Sequence, residues 1–323
     1  MEFQPKVSIV IPVYNGSNYM RKAIDSALNQ TYQNKEIVVI NDGSADSTEE
    51  IALSYGQKIR YYKKENGGQS SALNFGIDKM EGDYFSWLSH DDVYNPDKLE
   101  VQIQTLSQLE DKNVILYSDY EDIDENDRLL NSAKIPPIPP SEFLFNLLTK
   151  APISGCSTLV PKSCFEAVGL FNDQLPTTSD YDMWFRLGKK FAFHHIPQAL
   201  IKNRVHGNQV SVKKRGVLIK ETNAFLSDCL KQIDEEGISI STSFPDKEQL
   251  YYHLSKNFSK RGYTIYKLSL LYARKYSPKK VSSLLKYYRS HIVCSCLIRK
   301  KQFRLFVKTV LYAAGLYKHA PMN

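Results

Sequence analysis

Two adjacent carboxylates, Asp91 and Asp92, follow the apolar stretch 84–88, which is typical of a buried strand. Open α/β sheets bind their ligands outside the carboxyl ends of the strands, so acidic side chains at this point would face a substrate crevice. Mg²⁺ or Mn²⁺ is usually held by one or two carboxylates together with substrate phosphates. The pair would equally suit a loop that only solvates the start of the next helix, so its role depends on the rest of the chain.

Two further polar loops follow predicted strands. Asp42 comes after the strand 36–40, and a carboxylate there can accept the N–H of a pyrimidine or a ribose hydroxyl. The loop 66–71 begins a helix, where free backbone N–H groups favour an anion. Neither loop has the spacing of a dinucleotide or Walker motif, so dinucleotide binding and γ-phosphate chemistry are not indicated. Each loop taken alone also fits an ordinary turn.

The first 120 residues alternate between strand and helix patterns. Apolar runs predict strands at 7–13, 36–40, 59–63, 84–88 and 113–117. This alternation predicts βαβ units and a mainly parallel sheet. Because right-handed crossovers place every strand-to-helix loop on one edge, the polar loops should converge there. Those loops hold Tyr14 and Asn15, Asp42, Asn66 to Gly68, and Asp91 and Asp92.

The pattern changes in the second half of the chain. Residues 135–140 contain four prolines and predict an extended crossing rather than a helix or a central strand. Residues 153–160 and 191–201 are predicted to be further strands, with a helix over 180–187 between them. After residue 216 the periodicity is helical, and the sequence therefore predicts a separate α-helical region.

The chain resembles the family 2 glycosyltransferases with the GT-A fold. The segments that match this family, in order, are 7–15, 26–32, 36–44, 66–77, 88–99, 180–187 and 204–206. The resemblance covers residues 6–212 and implies an α/β, Rossmann-like GT-A domain at 1–215. Its sheet would be mainly parallel with helices on both faces, and an α-helical C-terminal region at 216–323 would follow.

The resemblance also implies a nucleotide-sugar donor, with uridine as the usual base, and inversion at the anomeric carbon. Asp42 would contact the base, and Asp91 would bind the metal that bridges the diphosphate. The residues that would bind the donor are Pro12, Tyr14, Asn15, Asp42, Asn66, Gly67, Gly68, Ser71, Asn74, His90 and Asp91. Mn²⁺ or Mg²⁺ would be the cofactor, with His206 assisting Asp91 as a ligand.

The acceptor side of the site is assigned in the same way. Asp180 would be the catalytic base that removes a proton from the acceptor hydroxyl, while the metal neutralises the departing diphosphate. Asp92 and Trp184 would lie on the acceptor side. Asp182 takes the place of Asp180 if the helix is rotated about its axis.

Three positions depart from the usual pattern of the family. Ser89 stands where many relatives have the first acid of an Asp-X-Asp motif, which leaves Asp91 as the main protein ligand. Ser179 precedes Asp180 where Glu is common, which bears on the pKa of the base. Leu73 stands where Arg is frequent, which bears on one phosphate contact.

The charge is unevenly distributed along the chain. The formal net charge is +7, but residues 216–323 carry 19 Lys and Arg against 7 Asp and Glu, a net of +12. The first 215 residues therefore carry a net of −5. A predicted amphipathic helix near the C-terminus has a basic stripe beside its apolar face. An anionic membrane surface is the partner that this pattern favours, although the stripe would also suit a solvated face.

Composition limits the cellular setting and the partners. Five cysteines with no zinc-like spacing favour a reduced, cytosolic chain, and no run approaches the length of a membrane span. We therefore expect a cytoplasmic protein, peripheral at the inner face of the cell membrane. The acceptor would be a glycan or lipid-linked glycan of a bacterial surface polysaccharide. Nucleic acid is disfavoured because no recognised binding motif is present.

Two other functions fit the sequence. A nucleotidyltransferase on a similar fold would release pyrophosphate rather than a nucleoside diphosphate. A non-catalytic sugar-nucleotide-binding protein is suggested by Ser89, which weakens the metal motif. No Ser-His-Asp or Cys-His signature indicates a covalent enzyme intermediate.

Overall fold

The computed structural model describes residues 3–207, 209, 213–277, 289–290, 292–298 and 300. The chain divides into two compact units, Met1–Arg215 and Gly216–Asn323. The first unit is built on two β-sheets, and the described part of the second is helical. The predicted α/β fold with a C-terminal helical region is confirmed.

The first sheet has five strands in the order β3-β2-β1-β4-β8. These strands are β1 (Val7–Val13), β2 (Lys35–Asp42), β3 (Arg60–Lys64), β4 (Tyr84–Trp87) and β8 (Val160–Pro161). The first four are mutually parallel, and β8 pairs antiparallel with β4 at the edge. Every residue of β1 is buried, as expected of a parallel strand covered on both faces. This sheet places the carboxyl ends of β1, β2, β3 and β4 on one edge.

Four helices accompany this sheet. They are α1 (Met20–Leu28), α2 (Thr48–Leu53), α3 (Gln69–Lys79) and α4 (Lys98–Gln108). Helix α3 lies close to β1 because Gly76 has no side chain; a Cβ there would stand 2.3 Å from Val10. Leu73 of α3 is fully buried, so the position where Arg is frequent in the family faces the core.

The second sheet has four strands in the order β5-β9-β6-β7. They are β5 (Val93–Tyr94), β6 (Ile115–Ile123), β7 (Leu129–Ala133) and β9 (Phe193–Arg204). Strand β6 lies parallel to β9 and antiparallel to β7. The predicted strand 113–117 therefore exists, but it belongs to this mixed sheet rather than to the parallel one. Strand β9 confirms the strand predicted at 191–201.

The strand predicted over 153–160 is wrong for most of its length. A 3₁₀ turn spans Gly155–Ser157, and only Val160 continues into β8. The hydroxyls of Ser157 and Thr158 bond to carbonyls three residues earlier, which replaces strand pairing with local turns. Gly155 lies against the ring of Trp87, where a Cβ would stand 2.4 Å from the ring.

The remaining helices of the first unit close an aromatic core. They are α5 (Phe143–Lys150), α6 (Lys162–Val168) and α7 (Ser179–Gly188). Phe143 of α5 stacks on Phe193 of β9 with ring centroids 3.8 Å apart. Trp184 of α7 meets Phe193 and Phe171 edge to face. This core fixes α7 and therefore the position of the acidic residues in its first turn.

The second unit contains α8 (Arg215–Glu235), α9 (Lys247–Arg261) and α10 (Tyr266–Tyr276), and residues 292–298 are also helical. Asp246 caps α9 by accepting the N–H of Gln249. The amphipathic stretch that contains Phe303, Phe306, Val307, Val310, Ala314 and Tyr317, with Lys301, Arg304 and Lys308 beside it, lies outside the described residues. None of the helices described here is long and apolar enough to cross a membrane.

Candidate active site

The loops at the carboxyl edge of the first sheet are joined by hydrogen bonds. Asn15, after β1, bridges to the loop after β2: its N–H donates to Ser44 Oγ at 2.9 Å, and its Oδ1 accepts the N–H of Ala45 at 2.9 Å. Gly16 packs against the ring of His90, in the loop after β4; a Cβ there would stand 2.6 Å from that ring. The predicted convergence of these loops is therefore seen directly. Tyr14 lies beside them with half of its surface exposed.

The carboxylate of Asp42 is cradled by the loop that follows β3. It accepts the N–H groups of Gly67 at 3.0 Å and Gly68 at 2.7 Å, and Lys64 Nζ donates to it at 2.7 Å. Asn66 Nδ2 donates to the Asp42 carbonyl at 2.9 Å. The backbone N–H groups that the sequence suggested were free for an anion are thus already engaged by an anion of the chain itself.

Glycine is required in this loop for two reasons. Gly68 has φ +85°, a backbone conformation that other residues rarely adopt. Gly67 lies so close to Ser71 of α3 that a Cβ would stand 2.6 Å from Ser71 Oγ. The loop can close over Asp42 only with these two residues in place.

Asp91 and His206 form the second polar pair of the site. Asp91 Oδ2 lies 2.9 Å from His206 Nε2, and both side chains are largely buried. Burial raises the pKa of Asp91, but the hydrogen bond from His206 and the neighbouring His90 outweigh it, so the pKa lies below its ordinary value. Asp91 is therefore kept as a carboxylate. The pair combines one hard oxygen ligand with one imidazole nitrogen.

Asp92 is buried and bonded within the protein, which corrects its assignment to the acceptor side. Its Oδ1 accepts the backbone N–H of Arg204 at 2.8 Å, and its Oδ2 accepts the thiol of Cys156 at 3.2 Å. Burial and the charge of Asp91 both raise the pKa of Asp92. Both carboxylate oxygens bond within the protein, so this side chain is a structural anchor under the acidic loop.

Asp180 lies in the first turn of α7, beside the start of α3. Ser70 Oγ of α3 donates to Ser179 Oγ at 2.7 Å, which joins the two helix starts. Burial raises the pKa of Asp180 to about 6, despite the N–H of Tyr181 donating to its Oδ1 at 2.9 Å. Such a pKa suits a general base near neutral pH.

Asp182, the alternative base, is held differently. Arg186 donates to its Oδ2 through Nε at 2.9 Å and through Nη2 at 2.8 Å. This carboxylate oxygen therefore already accepts two hydrogen bonds from a side chain of the same helix. The geometry therefore favours Asp180 over Asp182.

Three other predicted contacts do not fit the structure. Trp184 is fully buried in the aromatic core, so it cannot form a wall for an acceptor. Asn74 makes two hydrogen bonds with the backbone of Phe171: its Nδ2 donates to the carbonyl at 2.8 Å, and its Oδ1 accepts the N–H at 2.9 Å. Its side chain therefore fixes the loop before α7 rather than a ligand. Pro12 is buried within β1, opposite Ile40 of β2.

Three residues of the site were missed or undervalued from the sequence. Lys64 and Cys156 were not singled out, although each touches a key carboxylate. Arg204 was noted only as the neighbour of His206, yet its side chain is fully buried. The alternating pattern of β3 places Lys64 next to Asp42 in the strand register and could have indicated it. No local pattern indicates the other two.

The donor set at Asp91 and His206 fits a metal held jointly with a substrate. Within the ranges that the structure describes, no group of three or more His, Cys, Asp or Glu side chains could hold a metal ion. One carboxylate and one imidazole provide two ligands, and a diphosphate could provide others. Ser89 lies against Cys156 instead, with its Oγ 3.3 Å from Cys156 Sγ.

Comparison with known proteins assigns the chain to a family. The family described as Glycosyl transferase family 2 matches residues 8–168, from β1 to the end of α6. An uncharacterized glycosyltransferase of Rickettsia typhi is 47% identical over 81% of this chain and 82% of the relative. The chain belongs to glycosyltransferase family 2. An uncharacterized glycosyltransferase of Rickettsia felis is 51% identical over 72% of this chain, but the match spans only 39% of that relative's length.

The fold of this family 2 chain is also seen in a solved structure. The S. aureus TarS fragment 1–349 in complex with UDP-GlcNAc has a TM-score of 0.56 and 16% sequence identity to this chain. The match covers 97% of this chain and 93% of that one. At this identity the likeness concerns the fold, and it confirms the GT-A architecture.

Proposed function

We propose that this family 2 chain transfers a sugar, with inversion, from a nucleotide-diphosphate sugar to a hydroxyl of a glycan or lipid-linked glycan. The observation that carries the proposal is the Ser70–Ser179 hydrogen bond. It holds the helix of Asp180 beside the loop that cradles Asp42. Asp180, the proposed base for the acceptor, and Asp42, the carboxylate proposed to bind the nucleobase, would therefore lie on either side of the Ser70–Ser179 hydrogen bond.

The donor would lie along the carboxyl edge of the first sheet. Asp42 would accept the N–H of a pyrimidine, with the loop of Gly67 and Gly68 giving up its hydrogen bonds to that carboxylate. The S. aureus TarS fragment 1–349 was solved in complex with UDP-GlcNAc, which supports a UDP-sugar for this chain. Tyr14, Asn15, Asn66, Ser71 and His90 would line the same edge.

The diphosphate would lie near Asp91 and His206. These two side chains would hold Mn²⁺ or Mg²⁺, which when bound neutralises charge on the leaving nucleoside diphosphate. The fit rests on the partly exposed Asp91 carboxylate, 2.9 Å from the His206 imidazole. Asp92 takes no part, because its oxygens bond to Arg204 and Cys156.

Asp180 would take the proton of the acceptor hydroxyl as its oxygen attacks the anomeric carbon. The bond from that carbon to the diphosphate oxygen breaks, and its electron pair leaves with the nucleoside diphosphate. One displacement of this kind inverts the anomeric centre and needs no covalent enzyme intermediate. Burial of Asp180 keeps its proton affinity high enough for the transfer.

The two units would divide the work. Residues 1–215 would bind the donor and carry out the chemistry. The segment 216–323, which is basic as a whole, would face an anionic membrane surface on the cytoplasmic side. The net charge of +12 in this second segment supports the idea. The acceptor would then be a precursor of a cell-surface polysaccharide.

A stereochemical assay tests the proposal. The purified chain is incubated with UDP-GlcNAc and other UDP-sugars, Mn²⁺ and short glycan acceptors, and the products are followed by NMR. We expect release of UDP and a product of inverted configuration. Consumption of the UDP-sugar only when pyrophosphate is added, with formation of UTP and the sugar 1-phosphate, would instead indicate a nucleotidyltransferase. Donor binding with no turnover on any acceptor would indicate a sugar-nucleotide-binding protein.

A further inference from the structure

Arg204, at the end of β9, has a fully buried side chain that reaches two parts of the first unit. Its Nε donates to the carbonyl oxygen of Asp91 at 2.9 Å. Its Nη1 donates to the carbonyl of Asp124 at 2.9 Å, and its Nη2 lies 2.6 Å from Asp127 Oδ1. The guanidinium thus joins the acidic loop after β4 to the turn between β6 and β7.

The surroundings of this guanidinium compensate for its burial. Burying a charged group is costly unless its donors are paired, and here each nitrogen of the fork meets an oxygen. The guanidinium also lies over the ring of Tyr19, 4.6 Å from its centroid. Asp127 is in turn paired with Lys22 of α1. The position of Arg204 is therefore determined from several directions.

Residue 204 contacts both sides of the Asp91–His206 pair, through its guanidinium on the Asp91 side and through its backbone carbonyl on the His206 side. It holds Asp91 through the backbone carbonyl, so the side chain projects from a fixed point. It holds His206 through the chain, because Gln209 Nε2 donates to the Arg204 carbonyl at 2.7 Å while Gln209 Oε1 accepts the His206 N–H at 3.4 Å. Its own N–H anchors Asp92, the neighbour of Asp91.

We propose that Arg204 is the positioning residue of the Asp91–His206 pair and holds it ready for the metal and the diphosphate, while itself touching neither. The inference rests on the proposed function, because it gives the pair a metal to bind. It differs from a phosphate-binding role, since the nitrogens of Arg204 bond to the chain itself. Residues that orient metal ligands typically account for about 10–100-fold in metal affinity.

The test measures UDP binding by calorimetry with and without Mn²⁺, on the full chain. Arg204→Lys keeps the charge but loses the planar fork. We expect it to weaken the Mn²⁺-dependent binding by about 10–100-fold and to leave the metal-free binding unchanged. Arg186→Lys is the control, because the Arg186 guanidinium also bonds only within the chain, to Asp182 and to the carbonyls of Val168 and Leu170, away from this pair. We expect the control to leave the Mn²⁺ response intact.

A second variant guards against loss of the fold. Asp127→Asn removes the ion pair of Arg204 at a side chain that is 47% exposed, so the core remains intact. We expect a loss in the same direction but smaller. A folded Arg204→Lys variant with the native Mn²⁺ response overturns the inference, as does Asp127→Asn with no effect if Arg204→Lys fails to fold.

A metal-free measurement separates this inference from the proposed function. The ¹⁵N chemical shift of His206 Nε2 reports its hydrogen bond to Asp91 without any ligand. We expect Arg204→Lys and Asp127→Asn to change that shift and Arg186→Lys to leave it unchanged. If the native chain shows no Mn²⁺-dependent UDP binding, the metal assignment fails; if the ¹⁵N shift is native in both Arg204→Lys and Asp127→Asn, the positioning role fails.

Discussion

Asp91 and His206 meet at 2.9 Å although 115 positions separate them in the sequence. One follows β4 of the parallel sheet, and the other follows β9 of the mixed sheet. The pair therefore forms where the carboxyl end of β4 in one sheet lies close to the carboxyl end of β9 in the other. A metal and a diphosphate bound there would depend on both sheets at once.

The first prediction concerns this pair. Asp91→Ala removes the carboxylate and should abolish Mn²⁺-dependent UDP binding, whereas Ser89→Ala should change it little because the Ser89 hydroxyl lies against Cys156, 3.3 Å from its Sγ. Calorimetric titration with UDP and Mn²⁺ measures both. Full turnover by Asp91→Ala would show that the metal assignment is wrong.

The second prediction concerns the base. Asp180→Asn keeps the shape but cannot accept the proton, so turnover should fall by about 10²–10⁴-fold while UDP affinity stays close to native. Asp182→Asn serves as the matched control, since its carboxylate pairs with Arg186. The roles are exchanged if the control, rather than Asp180→Asn, shows the selective loss of turnover.

The third prediction is the pH dependence that Asp180 imposes. Its pKa is raised from 3.8 to about 6, so the base should become protonated, and turnover should fall, as the pH drops through about 6. The free energy of unfolding changes with pH in the opposite direction to turnover. Because the folded state binds the Asp180 proton more tightly than the unfolded state, ionisation of Asp180 lowers the free energy of unfolding as the pH rises from about 4 to about 6. With about 1.4 kcal/mol per pKa unit, Asp180→Asn should be more stable than the native chain at pH 7 by about 1–3 kcal/mol. Chemical unfolding at pH 4 and pH 7 checks the difference, which should vanish at the lower pH.

The fourth prediction concerns Lys98, which is fully buried in α4 and bonds to Ser86 and Gln102. Burial lowers its pKa from 10.5 to about 7. Between these values the unfolded chain binds more protons, so this residue makes the free energy of unfolding rise with pH. Lys98→Met should lose that rise, measured as the difference from the native chain in urea unfolding at pH 7, 8 and 9. A difference that is constant over this range would contradict the shift.

The last prediction concerns the C-terminal segment and rests on the sequence. In the helix that the sequence predicts, its apolar residues would share one face, and Lys301, Arg304 and Lys308 would lie on the flank of that face. Each basic residue near an anionic surface contributes about 1 kcal/mol. We expect co-sedimentation with anionic but not neutral vesicles, weakened by salt and by changing these three residues to Glu. Equal and negligible binding to both kinds of vesicle would mean that the segment only packs within a helical unit.

The sequence predicted the strands and their polar loops well, because a parallel sheet leaves a strong apolar pattern and βαβ connections have one hand. It predicted the side chains less well. Asp92 follows Asp91 directly, yet its oxygens bond to Cys156 and to the backbone of Arg204, 112 positions away. Trp184 was assigned to a wall for the acceptor, but the aromatic rings of Phe171 and Phe193 enclose it. Which way a side chain turns depends on partners that only the tertiary fold brings near.

The cradle around Asp42 has a consequence for any measured donor affinity. This carboxylate accepts three hydrogen bonds within the chain, from Lys64 and from the N–H groups of Gly67 and Gly68. A nucleobase that bonds to Asp42 would replace one of these donors or share the carboxylate with them, so the measured dissociation constant would include any weakening of these internal hydrogen bonds. A weak apparent affinity for the donor would therefore be compatible with strong individual contacts between Asp42 and the nucleobase.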